Sequence, residues 1–172
     1  MSAEQEPRRA SAVPPQDREP QLDAPCGLYC GACDVFLATQ RGEQEALAKM
    51  WGRSASEITC RGCRSPQRAA FCTDCGIRDC VRQHEVAHCG LCPRLPCEQL
   101  VEFRDSAAHH AAVLRNLRRL KAAGTERWLQ EKQERWRCPA CGRASGWYET
   151  QCGRCGTPLV SCQEEDLSPG LE

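Results

Sequence analysis

Apolar residues in this 172-residue chain fall into a few short helical patterns, separated by stretches with no period at all. Residues 1–24, rich in Pro, Gln, Glu, Arg and Ala and containing Pro14-Pro15, have no periodicity and are expected to form a disordered arm. From Asp34, a suitable cap, Val35, Phe36, Leu37, Leu47 and Met50 run at helical spacing to Trp51, and Gly42 is where that helix can divide. Ser54-x-x-Glu57 has the form of a capping box, with room for only one turn after it. A short helix is expected over 77–87. The longest is expected over 98–123, with Leu100, Phe103, Ala107, Ala111, Leu114 and Leu117 on its buried stripe and Arg104, Arg115 and Arg119 on another face. Gly124 stops it, and Thr125 caps a last helix over 126–136 that places Trp128, Leu129 and Trp136 on one side. These two helices (98–136) are the natural lid of whatever precedes them.

What precedes them is built on cysteine. Eleven of the sixteen cysteines lie between Cys26 and Cys97, in short groups: Cys26-x3-Cys30-x2-Cys33, Cys60-x2-Cys63, Cys72-x2-Cys75-x4-Cys80 and Cys89-x2-Cys92-x4-Cys97. Two intervening residues let one tight turn aim both sulfurs at a single ion. The last two groups share one spacing, a weak internal repeat. A second unit follows at 137–160, where Cys138-Pro139-Ala140-Cys141-Gly142 and Cys152-Gly153-Arg154-Cys155-Gly156 flank Trp147-Tyr148. It is expected to be a small β zinc ribbon. Cys162 is left without a role, and the tail 161–172 is acidic.

Composition decides what these thiols are for. Residues 1–23 have no apolar core flanked by basic residues, so no signal peptide is expected. No apolar run approaches membrane-spanning length, and the chain reads as cytoplasmic, where thiols stay reduced. Aromatics make up only 5% of residues, too few for a 70-residue segment to fold on apolar burial alone. Metal binding would supply the missing free energy, on the order of ten kcal/mol per structural zinc.

Four thiolates close a tetrahedral zinc site. Cys138, Cys141, Cys152 and Cys155 make one set, and Cys60, Cys63, Cys72 and Cys75 another. The seven left are Cys26, Cys30, Cys33, Cys80, Cys89, Cys92 and Cys97. With one histidine, His84 or His88, they would complete two more sites, though interleaved pairings are equally legal. His88 is the histidine taken as ligand, on the expectation that Cys80, His84 and His88 share one helical face at i, i+4 and i+8.

Other chemistries fit less well. The spacing of Cys26, Cys30 and Cys33 is that of the four-iron cluster of radical S-adenosylmethionine enzymes, but no strand–helix alternation follows to build their barrel. A simpler iron–sulfur centre there is the alternative to zinc. Net charge is zero, and 20 of the 23 basic residues are arginine. The excess of basic over acidic residues across 104–137 reads as a solvated helical face rather than a nucleic-acid surface. His109-His110 reads as packed or surface residues, and Asp34, Asp74 and Asp79 as turn and cap residues. No nucleophile triad, phosphate loop or carboxylate pair is recognisable, so no catalytic residue is assigned.

The run Cys26-Gly27-Leu28-Tyr29-Cys30-Gly31-Ala32-Cys33 with Phe36-Leu37-Ala38-Thr39, together with Cys75-Gly76-Ile77-Arg78-Asp79-Cys80, Cys89-x2-Cys92 and Pro96-Cys97, resembles the cysteine-rich prokaryotic family called domain of unknown function 3795. The resemblance covers about residues 25–135 and implies zinc binding without an assigned activity. The reading is therefore a small metal-stabilised protein, mainly α with irregular zinc knuckles over 25–136 and a C-terminal ribbon. It binds several Zn²⁺ ions and acts as a non-catalytic adaptor for an unidentified protein partner, with no membrane contact. Iron–sulfur redox and nucleic-acid binding are the alternatives.

Overall fold

The computed structural model describes residues 20–165, so residues 1–19 of the expected arm and most of the acidic tail lie outside the described residues, whereas the arm's end is ordered, with Asp23 and Ala24 buried and Asp23 bridged to Tyr29. The described residues contain six α-helices: α1 (Asp34–Arg41), α2 (Gln44–Trp51), α3 (Gly76–Gln83), α4 (Glu98–Asp105), α5 (Val113–Ala123) and α6 (Thr125–Arg135). Between them lie single 3₁₀ turns, and two of these, Cys30–Ala32 and Cys89–Leu91, are built into cysteine knuckles.

The helix starting at Asp34 does divide at Gly42, which takes φ 70° and closes α1 as a left-handed cap. Ser54 and Glu57 form the expected capping box, the Ser54 N–H donating to Glu57 Oε2 at 2.8 Å, and a single 3₁₀ turn follows.

Three expectations are corrected. The helix over 98–123 is broken. The Ser106 hydroxyl donates to the Phe103 carbonyl at 2.7 Å and Ala107 is extended (φ −160°, ψ 153°), so α4 ends at Asp105 and α5 begins at Val113. Val113, Leu117 and Leu120 become the buried stripe, while Ala107, Ala111 and Leu114 are only half-buried.

The helix over 77–87 stops at Gln83. Glu85 turns left-handed (φ 52°), and the Val86 N–H reaches back to the Val81 carbonyl at 3.2 Å, a 6→1 closure. His84 and His88 therefore do not continue a helical face from Cys80.

The third correction concerns the ribbon. No strand forms among the described residues, and the ribbon's β character is confined to two isolated antiparallel bridges, Arg137↔Ala144 and Gln151↔Pro158.

The interior is three small cores rather than one. The first gathers Ile77, Val81, Leu100, Val113 and Leu117 around Cys26, Cys30 and Cys89. The second places Trp128, which is fully buried, edge-on to Tyr29 at 6.2 Å between ring centroids, with Leu120, Trp136 and Cys162. The third joins Val35, Ala48 and Ile58 to Cys60 and Ala69. Each fully buried large side chain contributes about 1.5–3 kcal/mol. Few residues do so, and cysteines take up much of the interior.

Candidate metal centres

Residues 137–158 fold as two copies of one knuckle, offset by fourteen residues. The Cys138 N–H donates to the Arg143 carbonyl (2.8 Å), and the Cys152 N–H to that of Thr157 (2.9 Å). Gly142 and Gly156 return to the Cys138 and Cys152 carbonyls at 2.9 and 2.8 Å, and both adopt φ 73°, which a side chain would resist. The result brings four sulfurs to one point. Cys138 Sγ lies 3.5 Å from Cys155 Sγ and Cys141 Sγ 3.6 Å from Cys152 Sγ, with all four within 4.8 Å of one another. That is too far for disulfides, whose S–S bond is about 2.05 Å. It is close to the roughly 3.8 Å edge of a tetrahedron with metal–sulfur bonds of about 2.3 Å. Hydrogen bonds stabilise two of the thiolates: the N–H groups of Arg154 and Cys155 hold Cys152 below the usual thiol range, and the Thr157 hydroxyl and N–H lower Cys155 to about 6, while Cys141 is raised to about 11. This is a Cys₄ group that could hold a metal ion.

A second gathering is larger and looser. Cys26, Cys30, Cys33, Cys60, Cys63, Cys72 and Cys75 all line one cavity of about 710 Å³. They arrive from three separate knuckles and sort by core. Cys26, Cys30, Cys63 and Cys75 pack with the first core, and Cys33, Cys60 and Cys72 with the third. The expected set of Cys60, Cys63, Cys72 and Cys75 lines this one cavity, though its members pack against two different cores. Burial pushes Cys30 and Cys26 far above the ordinary thiol range, Cys33 to about 12 and Cys72 to about 11, with neighbouring thiols adding to each. Without a cation these groups would stay protonated, and a soft divalent ion is what would turn them into thiolates. Arg78 is buried beside them. Its guanidinium donates to the Cys72 carbonyl (2.8 Å) and to the Thr73 carbonyl, and its Nε has no partner.

Cys80, Cys89, Cys92 and Cys97 line a third, smaller cavity of about 30 Å³ together with His84 and apolar walls. Cys89 is raised to about 12, by burial first and then by Cys97, Cys80 and Cys92. His84 Nε2 lies 2.7 Å from Arg94 Nη2 at this cavity. His88 is elsewhere, buried near Arg64 and Asp23 with Nδ1 unpartnered. It does not line the cavity that holds Cys80, Cys89, Cys92 and Cys97. The knuckles Cys30-Gly31-Ala32-Cys33 and Cys89-Gly90-Leu91-Cys92 are alike, each a 3₁₀ turn closed by an N–H···O bond of 3.0 Å from its last cysteine to its first. In each, the ring one residue ahead (Tyr29 or His88) packs on the glycine so closely that a Cβ would collide.

Comparison with known proteins places the first two of these three thiol-lined sites to be met in chain order within one segment. Residues 22–102 match the family model described as "Protein of unknown function (DUF3795)". No curated protein and no solved structure matches the chain. The DUF3795 segment holds the eleven cysteines from Cys26 to Cys97 and ends within α4, so the Cys₄ knuckles lie outside it.

Residues beyond the DUF3795 segment nevertheless wall its large cavity. His109, His110 and Trp147 all face it. His109 stacks on Trp147 (4.2 Å, 14°) with its Nδ1 2.7 Å from Tyr148 Oη, and His110 stacks on Phe103 (3.8 Å, 23°). The packed role expected for these histidines is what the stacking describes. Sequence reasoning did not find this aromatic wall, because His109 and Trp147 are 38 positions apart and carry no shared spacing signal.

Proposed function

We propose that the protein is a zinc-built binding module without catalysis of its own, working in a reducing compartment such as the cytoplasm. The observation that carries this reading is the closed Cys₄ group at Cys138, Cys141, Cys152 and Cys155. It leaves no fourth position for substrate, and its sulfur spacing suits a tetrahedral d¹⁰ ion. The shared small cavity of Cys80, Cys89, Cys92 and Cys97 supports metal binding there as well. Zinc here replaces the apolar core that the chain lacks, so each ion contributes directly to folding.

Binding to a protein partner is supported by Met50, which is 78% exposed, together with Trp51 and Phe71 at 6.4 Å between ring centroids on the surface. The basic helical face supports nucleic-acid binding less well, since Glu131 pairs with both Arg119 and Arg127 and Glu165 with Arg115. The test is metal and sulfide analysis with an absorption spectrum, on full-length protein purified without oxygen and without a metal-binding tag. Zinc and no visible absorption are expected. Iron with inorganic sulfide and a broad band near roughly 400 nm, where thiolate-held clusters absorb, would replace this reading with an electron-transfer protein.

A further inference from the structure

We propose that the cleft between the end of α1 and the two knuckles of the Cys₄ group binds a small phosphate-bearing ligand through Arg41, Arg137, Arg143 and Arg154. The inference goes beyond the zinc reading above and does not depend on which metal the Cys₄ group holds.

These four arginines line one cavity of about 360 Å³, and no carboxylate lines it with them. Arg41 ends α1, Arg137 and Arg143 flank the first knuckle, and Arg154 lies within the second. Local contacts hold them there. Arg41 Nη2 donates to the Ala144 carbonyl at 2.6 Å, and Ala144 is itself bridged to Arg137. A Cβ on Gly142 would lie 3.9 Å from Arg137 Cδ, and one on Gly153 would lie 3.4 Å from Arg143 Nη2. Both side chains therefore run along the knuckle backbones.

The chain as a whole has no net charge, so this concentration is local. Glu149 offsets part of it: its Oε2 accepts from Arg143 at 2.8 Å and its Oε1 lies 3.6 Å from Arg41. Glu43 lies 3.9 Å from Arg41 and its side chain is more than half exposed. Arg137 and Arg154 form no ion pair with a carboxylate among the described residues. Like charges gathered around one space repel, and a bound anion reverses that cost. The basic face of α5 and α6 differs, because Glu131 and Glu165 pair with its arginines.

The donors select phosphate. One guanidinium fork serves a carboxylate, whereas a phosphate offers several oxygens at tetrahedral angles and accepts from arginines on different sides. Arg41 and Arg143 are half-buried and held by Glu149, and Arg137 and Arg154 are exposed with their forks left for the ligand. A cavity of about 360 Å³ lies at the small end of ligand sites, roughly 300–1,000 Å³, and suits one nucleotide-sized molecule rather than a strand. Gln40 and Gln133 add neutral donors and acceptors for the rest of that molecule.

Arginine footprinting tests the site on the wild-type, metal-loaded full chain, with pyrophosphate and ADP as probes. Phenylglyoxal labelling of Arg137 and Arg154, read by mass spectrometry, should slow on the order of tenfold with either probe in excess, while exposed Arg118 labels unchanged. Calorimetry should show one probe bound per chain. Arg154→Gln should weaken that binding on the order of tenfold with the metal count unaltered. Arg118→Gln, an equal change of charge on α5, should leave it unchanged. If Arg154→Gln loses metal, protection in the wild type alone decides. Absence of that protection, equal weakening in Arg118→Gln, or citrate binding as tightly as pyrophosphate overturns the site. So does a short single-stranded RNA that binds far more tightly than ADP, which would indicate an extended nucleic-acid surface. The metal is analysed separately, so iron with inorganic sulfide would replace the zinc reading and leave this site standing.

Discussion

The backbone N–H of Trp147 donates to the carbonyl of Ala32 at 3.0 Å, fastening the ribbon to the turn between Cys30 and Cys33. The Trp147 carbonyl accepts from the Cys162 N–H at 2.7 Å, and Arg41 reaches the Ala144 carbonyl at 2.6 Å. The ribbon therefore forms part of the wall around the cysteine-rich segment. Removing its ion with Cys141→Ser/Cys152→Ser should free Trp147 and open the large cavity. Alkylation of Cys33 and Cys72, read by mass spectrometry, is expected to quicken on the order of tenfold, equivalent to about 1.4 kcal/mol of opening free energy. Unchanged labelling would mean the ribbon folds and unfolds without consequence for its neighbour.

Gly27 offers a test of the packing between the first knuckle and α5. It sits at φ 89°, and a Cβ there would lie 2.7 Å from Leu117 Cγ and 2.9 Å from the Val113 carbonyl oxygen. Its carbonyl accepts from Asn116 Nδ2 at 2.9 Å, so the contact cannot easily slide. Gly27→Ala should cost about 2–4 kcal/mol, combining backbone strain with overpacking. Gly42→Ala is the control. It has a similar φ of 70° and nothing within 4 Å, and should cost only about 1 kcal/mol. Equal losses in denaturant titrations would show that strain alone matters at Gly27.

The position of His88 separates what is legible in the sequence from what is not. The Cys₄ group is legible because its ligands are local: each C-x-x-C-G knuckle closes on its own backbone, and the two meet across ten residues, though the β ribbon expected around them does not form among the described residues. The division at Gly42 and the Ser54–Glu57 box are legible for the same reason. Which thiols share the large cavity is not, since Cys60 and Cys63 occupy one turn yet pack with different cores. Spacing says that a knuckle binds and nothing about which way it faces. The break at Ser106 is equally hidden, because a hydroxyl that takes a helix carbonyl leaves the apolar pattern intact. The helical face expected to carry Cys80, His84 and His88 fails through the left-handed turn at Glu85, a position no residue preference marks. His88→Gln should accordingly leave the zinc content of the purified protein unchanged, while Cys92→Ser loses one ion. Loss of zinc in the histidine variant would return His88 to the coordination sphere.

His109 gives the structure a pH signature distinct from metal release. Burial against Trp147 and Tyr148, and then the neighbouring His110, depress its pKa from 6.5 to about 4. The folded protein thus holds the neutral imidazole, whereas the unfolded chain protonates it below about 6.5. The stabilising contribution of the neutral ring is complete above that value and is lost as the pH falls toward 4. NMR titration of the zinc-loaded protein should show the His109 ring still neutral at about pH 5.5, when an ordinary exposed histidine is mostly protonated. Trp147→Leu removes the stacked ring and lets water in, and should move the His109 midpoint upward toward 6.5 with the zinc count intact. A midpoint already near 6.5 in the wild type would mean that Trp147 does not shield His109 in solution, and the ribbon would not then seal that wall of the cavity.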